Sequence, residues 1–207
     1  MEDVLELYEE MYDAKRPVVC FDEKSVQLVA ETRGPSAVGP GRPQRYDYEY
    51  ERRGTANIFM VVEPLGGRRH VTVTERRTKL DFAAQMQQLV DVHYPEAERI
   101  RVVLDNLNTH KPGSLYEAFP PAEARRLLRH LEFHYTPKHA SWLDMAEIEL
   151  SVLSSQCLNR RIPDRESLKQ DTAAWERRRN QDRIPVKWRF TVQQARTTLP
   201  HLYPPIS

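Results

Sequence analysis

The stretch IRVVLDNLNTH, residues 100–110, decides how this chain folds. Ile100, Val102, Val103 and Leu104 form a short apolar run that stops on Asp105, and polar residues follow at once. A β-branched run ending on a carboxylate reads as a buried strand that delivers an acid to the edge of a sheet. The pattern also occurs earlier, where Val18, Val19, Cys20 and Phe21 lead into Asp22. Two strand-end aspartates and a later helix rich in Glu predict three carboxylates converging on a metal.

The segments around these strands set the architecture. Residues 2–14 carry Val4, Leu5, Tyr8, Met11 and Tyr12 at helical spacing, and Pro17 ends that helix. Residues 18–22 are the first strand. Residues 32–54, rich in Gly, Pro, Arg and Tyr, show little periodicity and are expected to form a long irregular excursion. Residues 57–63 and 69–75 read as an antiparallel hairpin turning at Pro64, Leu65, Gly66 and Gly67. Residues 78–94 read as a helix with Leu80, Phe82, Ala83, Met86, Leu89 and Val90 on its core face, stopped by Pro95. After the strand at 100–105 come helical pieces at 113–119 and 121–130, a strand at 131–135 and a long apolar helix at 142–158. A basic helix at 165–183, an aromatic segment at 188–190 and a last helical turn at 193–199 follow. This order of strands and helices fits a mixed sheet with helices on its faces, as in the ribonuclease-H-like fold. The expected division is an N-terminal helix (1–16), a ribonuclease-H-like domain (17–158) and a basic helical C-terminal extension (159–207).

A chain of 207 residues suits one sizeable α/β domain. Its formal net charge of +1 does not announce nucleic acid, but the charge is unevenly spread. Residues 159–196 hold eleven Lys/Arg against five Asp/Glu, whereas the first fourteen residues hold six acids and no Lys or Arg. Such asymmetry suits an anionic partner on one side, or a solvated helix face. Cys20 and Cys157 are far apart, which points away from a disulfide framework and towards a reducing, cytoplasmic setting. No apolar run approaches the roughly 20 residues of a membrane span, and the acidic N-terminus does not read as a secretory leader.

Phosphodiester chemistry with two metal ions needs acids that hold both cations near the attacking and leaving oxygens. Asp22 and Asp105 have the right context. The third acid should come from the helix after the last strand, which offers Asp144, Glu147 and Glu149. Helical phase does not choose among them. Leu143, Ala146, Leu150 and Leu153 form one apolar face, and Glu147 and Glu149 flank it on opposite edges.

The segments FDEKS (21–25), VVLDNLNTHK (102–111), HYTPKHASWLDMAEIELSVL (134–153) and KWRFT (187–191) resemble the bacterial insertion-sequence transposases of the mariner superfamily, which carry a DDE endonuclease domain. The resemblance spans about residues 17–203. It implies that Asp22, Asp105 and Glu147 are the catalytic acids and hold Mg²⁺ or Mn²⁺, with two ions expected. It also implies cleavage and strand transfer at insertion-sequence ends, double-stranded DNA as partner and a homodimer on that DNA. The chain departs from the family at Asp144, where Asn is usual. The helix-turn-helix region that reads element ends in the family is expected to be separate or missing here.

DNA contacts are expected from Arg42, Arg45, Arg52 and Arg53, with Tyr46, Tyr48 and Tyr50 available to stack on bases. Lys24 and Ser25 beside Asp22, and Lys111 and Lys138, are further candidates for phosphate contact. His110 reads either as positioning substrate phosphate or as completing the turn after Asp105; Asn108 reads as a turn residue. No His/Cys set has zinc spacing, no Gly-rich phosphate loop is present, and Cys20 lacks an activating context. Two other readings stay in view: a different ribonuclease-H-like nuclease, such as a resolvase, and a DNA-binding remnant without catalysis. Metal-dependent cutting of duplex DNA separates the remnant from either enzyme.

Overall fold

The computed structural model describes residues 1–32, 49–138, 140–200 and 203. These form a five-stranded sheet in the order β3-β2-β1-β4-β5. The strands are β1 (Val18–Glu31), β2 (Tyr50–Glu63), β3 (Arg68–Thr74), β4 (Ile100–Leu104) and β5 (Leu131–Tyr135). The first three pair antiparallel, and β4 lies parallel to both β1 and β5.

Period-two alternation splits the core between the two faces of this sheet. Val18, Cys20, Ile58, Met60, Val62 and Val103 feed one buried cluster. Val19, Phe21, Phe59, Val61, Val102 and Leu104 feed the other. The first cluster is covered by α1 (Glu2–Glu9), α5 (Met145–Gln156), α6 (Arg165–Asp182) and α7 (Val192–Thr198). The second is covered by α2 (Lys79–Gln88), α3 (Gly113–Ala118) and α4 (Pro121–His130). Burial on both faces explains why β4 and the inner half of β2 read as nearly continuous apolar runs. Leu168, Trp175 and Ala195 bring α6 and α7 into the first cluster.

Four boundaries differ from the sequence reading. The strand that starts at Val18 runs on to Glu31, so Asp22 ends only its parallel pairing, with Phe21↔Leu104 the last pair. Beyond it, β1 continues against β2, and residues 50–54, expected to be irregular, belong to β2. The N-terminal helix stops at Glu9, where Glu10 turns to extended backbone and its carboxylate pairs with Arg101. The apolar helix expected at 142–158 is broken. A 3₁₀ turn (Ser141–Leu143) comes first, and α5 starts after Asp144, whose side chain caps it. The helix at 78–94 gains a capping box from Thr78 and Asp81 and ends in a π-helical turn, Leu89–His93. No described helix is long and apolar enough to cross a membrane.

Candidate active site

The register that closes the β1/β4 ladder at Phe21↔Leu104 puts Asp22 and Asp105 at the same level on adjacent strands. The backbone N–H of Glu23 donates to Asp22 Oδ1 at 2.8 Å. Asp105 leaves the strand into a turn, accepting at Oδ1 from Leu107 N–H at 3.3 Å. The start of α5 supplies two more acids. Asp144 is its N-cap and accepts from Ala146 N–H at 2.9 Å. Glu147, in the first turn of α5, is exposed.

These acids share one electrostatic field. Burial pushes Asp22 up to about 7, and the charges of Glu23, Asp105 and Glu147 add to the rise. Asp144 is pushed well above the usual carboxylate range, first by burial and then by Asp22, Asp105 and Glu147. Its Oδ2 is buried without a hydrogen-bond partner. Among the described residues, no three acid, His or Cys side chains stand close enough, as placed, to hold one ion. The donor chemistry still fits a hard divalent cation. The oxygens are carboxylate only, they repel one another, and one is buried and unpartnered.

His110 sits inside the site, not on its surface. It is 1 % exposed, and its ring lies against Phe21 and Phe82 at centroid distances of 5.4 and 4.9 Å. Nδ1 is 2.6 Å from Asp105 Oδ1. Nε2 is 3.0 Å from Glu23 Oε2, an ion-pair contact without the alignment of a hydrogen bond. Burial alone would lower this imidazole, but the bond to Asp105 and the contact with Glu23 outweigh it and raise His110 to about 9. A ring carrying both protons bonds Asp105 through Nδ1 and sets its positive charge against Glu23. Of the two readings of His110, the bond to Asp105 fits the one that completes the turn after that residue; the ring is shielded and both nitrogens face protein acids.

The other expected contacts divide. Lys24 Nζ donates to Ser154 Oγ at 2.6 Å and ties β1 to α5. Lys111 donates to the Asn106 side chain and lies over the Tyr135 ring at 4.6 Å, beside Asp105. Lys138 is exposed. Arg52 and Arg53 are exposed, Arg53 pairing with Glu51 at 3.1 Å. Arg52 stands opposite Val29, seven residues along β1 from Asp22, or about 23 Å at strand rise. The sheet therefore does not bring it to the acids. Arg42, Arg45, Tyr46 and Tyr48 lie outside the described residues.

Glu149, tied with Glu147 by helical phase, and Glu23, which the sequence did not single out, have positions that only the structure gives. Glu149 is buried and its Oε1 is shared by Arg69 and Arg179, each at 2.8 Å. It points away from the solvent edge where Glu147 stands. Glu23 follows Phe21 by two residues, so strand alternation puts both on the face against which His110 packs. That phase, an acid continuing a buried apolar stripe, was the available signal.

The comparisons with known proteins agree with this architecture. No curated protein matches the chain. Among solved structures, a Mos1 mariner paired end complex with Mn superposes with a TM-score of 0.56 at 19% identity, over 87% of this chain and 55% of that one. The Mos1 strand transfer complex gives 0.56 at 17% identity, over 87% and 54%. A mariner Mos1 paired end complex with Mg gives 0.54 at 18%, over 95% and 60%. The chain thus spans little more than half the length of these proteins, and it shares their ribonuclease-H-like fold. The family model described as DDE superfamily endonuclease matches residues 17–169. With its match extending over most of the sequence, the chain belongs to the DDE superfamily endonucleases.

Proposed function

We propose that this chain is the catalytic domain of a DNA transposase, with Asp22, Asp105 and Glu147 holding Mg²⁺ or Mn²⁺, two ions in all. The observation that carries this is the level placement of Asp22 and Asp105 across β1 and β4, in one field with Glu147 at the start of α5. Family membership supports it, as does a fold shared with proteins solved on paired transposon ends and in a strand transfer complex.

When bound, such ions supply Lewis-acid activation of water and offset charge on the leaving oxygen. The protein's own contribution is position. Asp22 and Asp105 present oxygens from two paired strands, and Glu147 presents another from a helix start. The reaction is hydrolysis at an element end, then in-line attack on target DNA by the freed 3′-hydroxyl. Neither step forms a covalent bond to the enzyme. Cys20, the nearby nucleophile by sequence, is fully buried and its thiol is pushed upward by that burial. Residues 17–158 carry this chemistry, and α6 and α7 of the following segment pack upon them. Double-stranded DNA is the substrate, and a homodimer on paired ends is the working assembly.

The test is thermal unfolding with and without Mg²⁺ or Mn²⁺, followed by cutting and joining assays on duplex DNA. The wild-type midpoint should rise with metal, Asp22→Ala should abolish the rise, and Asp105→Asn should fold but not cut. Unfolding of Asp105→Asn would make that residue structural and overturn the assignment. Cutting without any joined product would favour a different ribonuclease-H-like nuclease.

A further inference from the structure

We infer that His110 is a positioning residue for Asp105, fixing the direction of that carboxylate through a chain that runs Asp105–His110–Glu23 beneath the acid cluster. This rests on the assignment of Asp105 as a metal ligand. Asp105 itself begins a turn and is partly exposed, with only the long Leu107 N–H contact to hold it locally. His110, five residues on, supplies a 2.6 Å bond to the same oxygen, Oδ1. This leaves Oδ2 as the oxygen free to turn towards a cation.

The ring is itself fixed from every side. Phe21 of β1 and Phe82 of α2 pack against it. Nε2 faces Glu23, which is 4 % exposed and also lies 3.8 Å from Arg77. The backbone carbonyl of His110 accepts from Tyr135 Oη at 2.8 Å, which joins the turn to β5. Three elements, β1, α2 and β5, therefore fix His110, and its imidazole meets an otherwise loosely held ligand. Partners behind a metal-binding side chain orient it, and their loss typically costs about 10- to 100-fold in metal affinity.

The experiment compares His110→Asn with His110→Gln, reading the metal concentration that gives half of the metal-induced rise in unfolding midpoint, without DNA, and the metal dependence of cutting beside it. The Asn amide nitrogen falls near the place of Nδ1 and can still donate to Asp105. The Gln amide nitrogen falls near Nε2 and cannot. Positioning predicts that Gln raises the half-saturating concentration about tenfold or more, while Asn raises it less. A purely packing role predicts the reverse order, because Asn leaves the larger gap against Phe21 and Phe82. Asn equal to or worse than Gln, or both variants binding like wild type, overturns the inference. Should neither variant fold, Glu23→Ala replaces them. It should raise the half-saturating concentration in the same direction, and an unchanged value overturns the inference. A wild-type chain that neither gains stability from metal nor cuts DNA overturns the metal assignment itself, and this inference with it.

Discussion

Arg69 and Glu149 face each other at 2.8 Å with both side chains almost wholly shielded from water, although 80 residues separate them in the chain. The pair is the centre of a knot that joins β3, α5 and α6. Arg179 reaches the same Glu149 oxygen, Arg69 also donates to the Ile184 carbonyl at 2.8 Å, and the Asn180 side chain bridges the Arg69 backbone. Removing one partner strands a buried charge, which typically costs about 3–5 kcal/mol. Glu149→Gln takes the counter-charge from both arginines and should lower unfolding free energy by about that amount in a denaturant titration, while keeping the metal-dependent rise in midpoint. Arg69→Met leaves Arg179 on Glu149 and should cost less, whereas Glu147→Gln should fold well and lose the rise. A rise lost in Glu149→Gln but kept in Glu147→Gln would exchange their roles.

Asp144 carries two opposed effects. Its Oδ1 caps α5, yet its carboxyl group is buried with Oδ2 unpartnered beside Asp22. Asn in its place keeps the capping oxygen and removes the buried acid. Asp144→Asn should raise the unfolding midpoint of the metal-free protein, measured in chelator. Asp144→Ala loses the cap and should fall about 1 kcal/mol below Asp144→Asn. Equal midpoints for the two variants would show that the cap contributes nothing.

Much of this architecture was readable in the sequence because alternation and turn chemistry act locally. The hairpin around Gly66 and Gly67, the short buried β4 and the split between α3 and α4 at Pro120 all follow from nearest neighbours. The misses come from long-range pairing. β1 reads as ending at Asp22 because residues 23–25 turn polar, yet β2 keeps the ladder going with hydrogen bonds that no local pattern encodes. The tie between Glu147 and Glu149 had the same origin. Periodicity puts both on the flanks of one helix, and only the arginines of β3 and α6 decide which is buried. The two readings of His110 stayed open for a further reason: its pocket is made by Phe21, Phe82 and Glu23, all distant in the chain.

The stacked pair His70 and His93, with ring centroids 3.7 Å apart, sets an acid limit on stability. Burial pulls His70 down to about 3, and the neighbouring His93 and Arg68 charges pull the same way. Burial lowers His93 as well. A histidine whose folded pKa lies below its unfolded value of about 6.5 costs nothing above that value. Below it the unfolded chain takes up a proton that the folded chain refuses, so stability falls as pH drops from about 6.5 towards 3, by at most about 1.4 kcal/mol per pH unit. Glu176, 3.8 Å from His70 and itself raised by burial, opposes this only at the acid end. Denaturant titrations of wild type and His70→Gln at pH 7.5 and 5 should therefore diverge, the wild type losing more. Parallel losses would mean that His70 protonates freely in the fold.

Gly67 closes the β2–β3 hairpin at φ +65°, and its missing side chain is filled by the end of α6. A Cβ at this position would meet the Arg183 carbonyl oxygen at 2.6 Å, and Arg183 is itself left-handed at φ 42°. The Val186 N–H donates to the Pro64 carbonyl at 2.9 Å, so turn and helix end are joined on both sides. Gly67→Ala meets a backbone clash and a disfavoured dihedral together, and should destabilise by at least about 1 kcal/mol. Arg183→Gly relieves the left-handed strain of a non-glycine helix terminus and should stabilise by up to about 1 kcal/mol. The two substitutions act on one junction, so the double variant should depart from the sum of the singles. Strict additivity in denaturant titrations would show that hairpin and helix end do not bear on one another in solution.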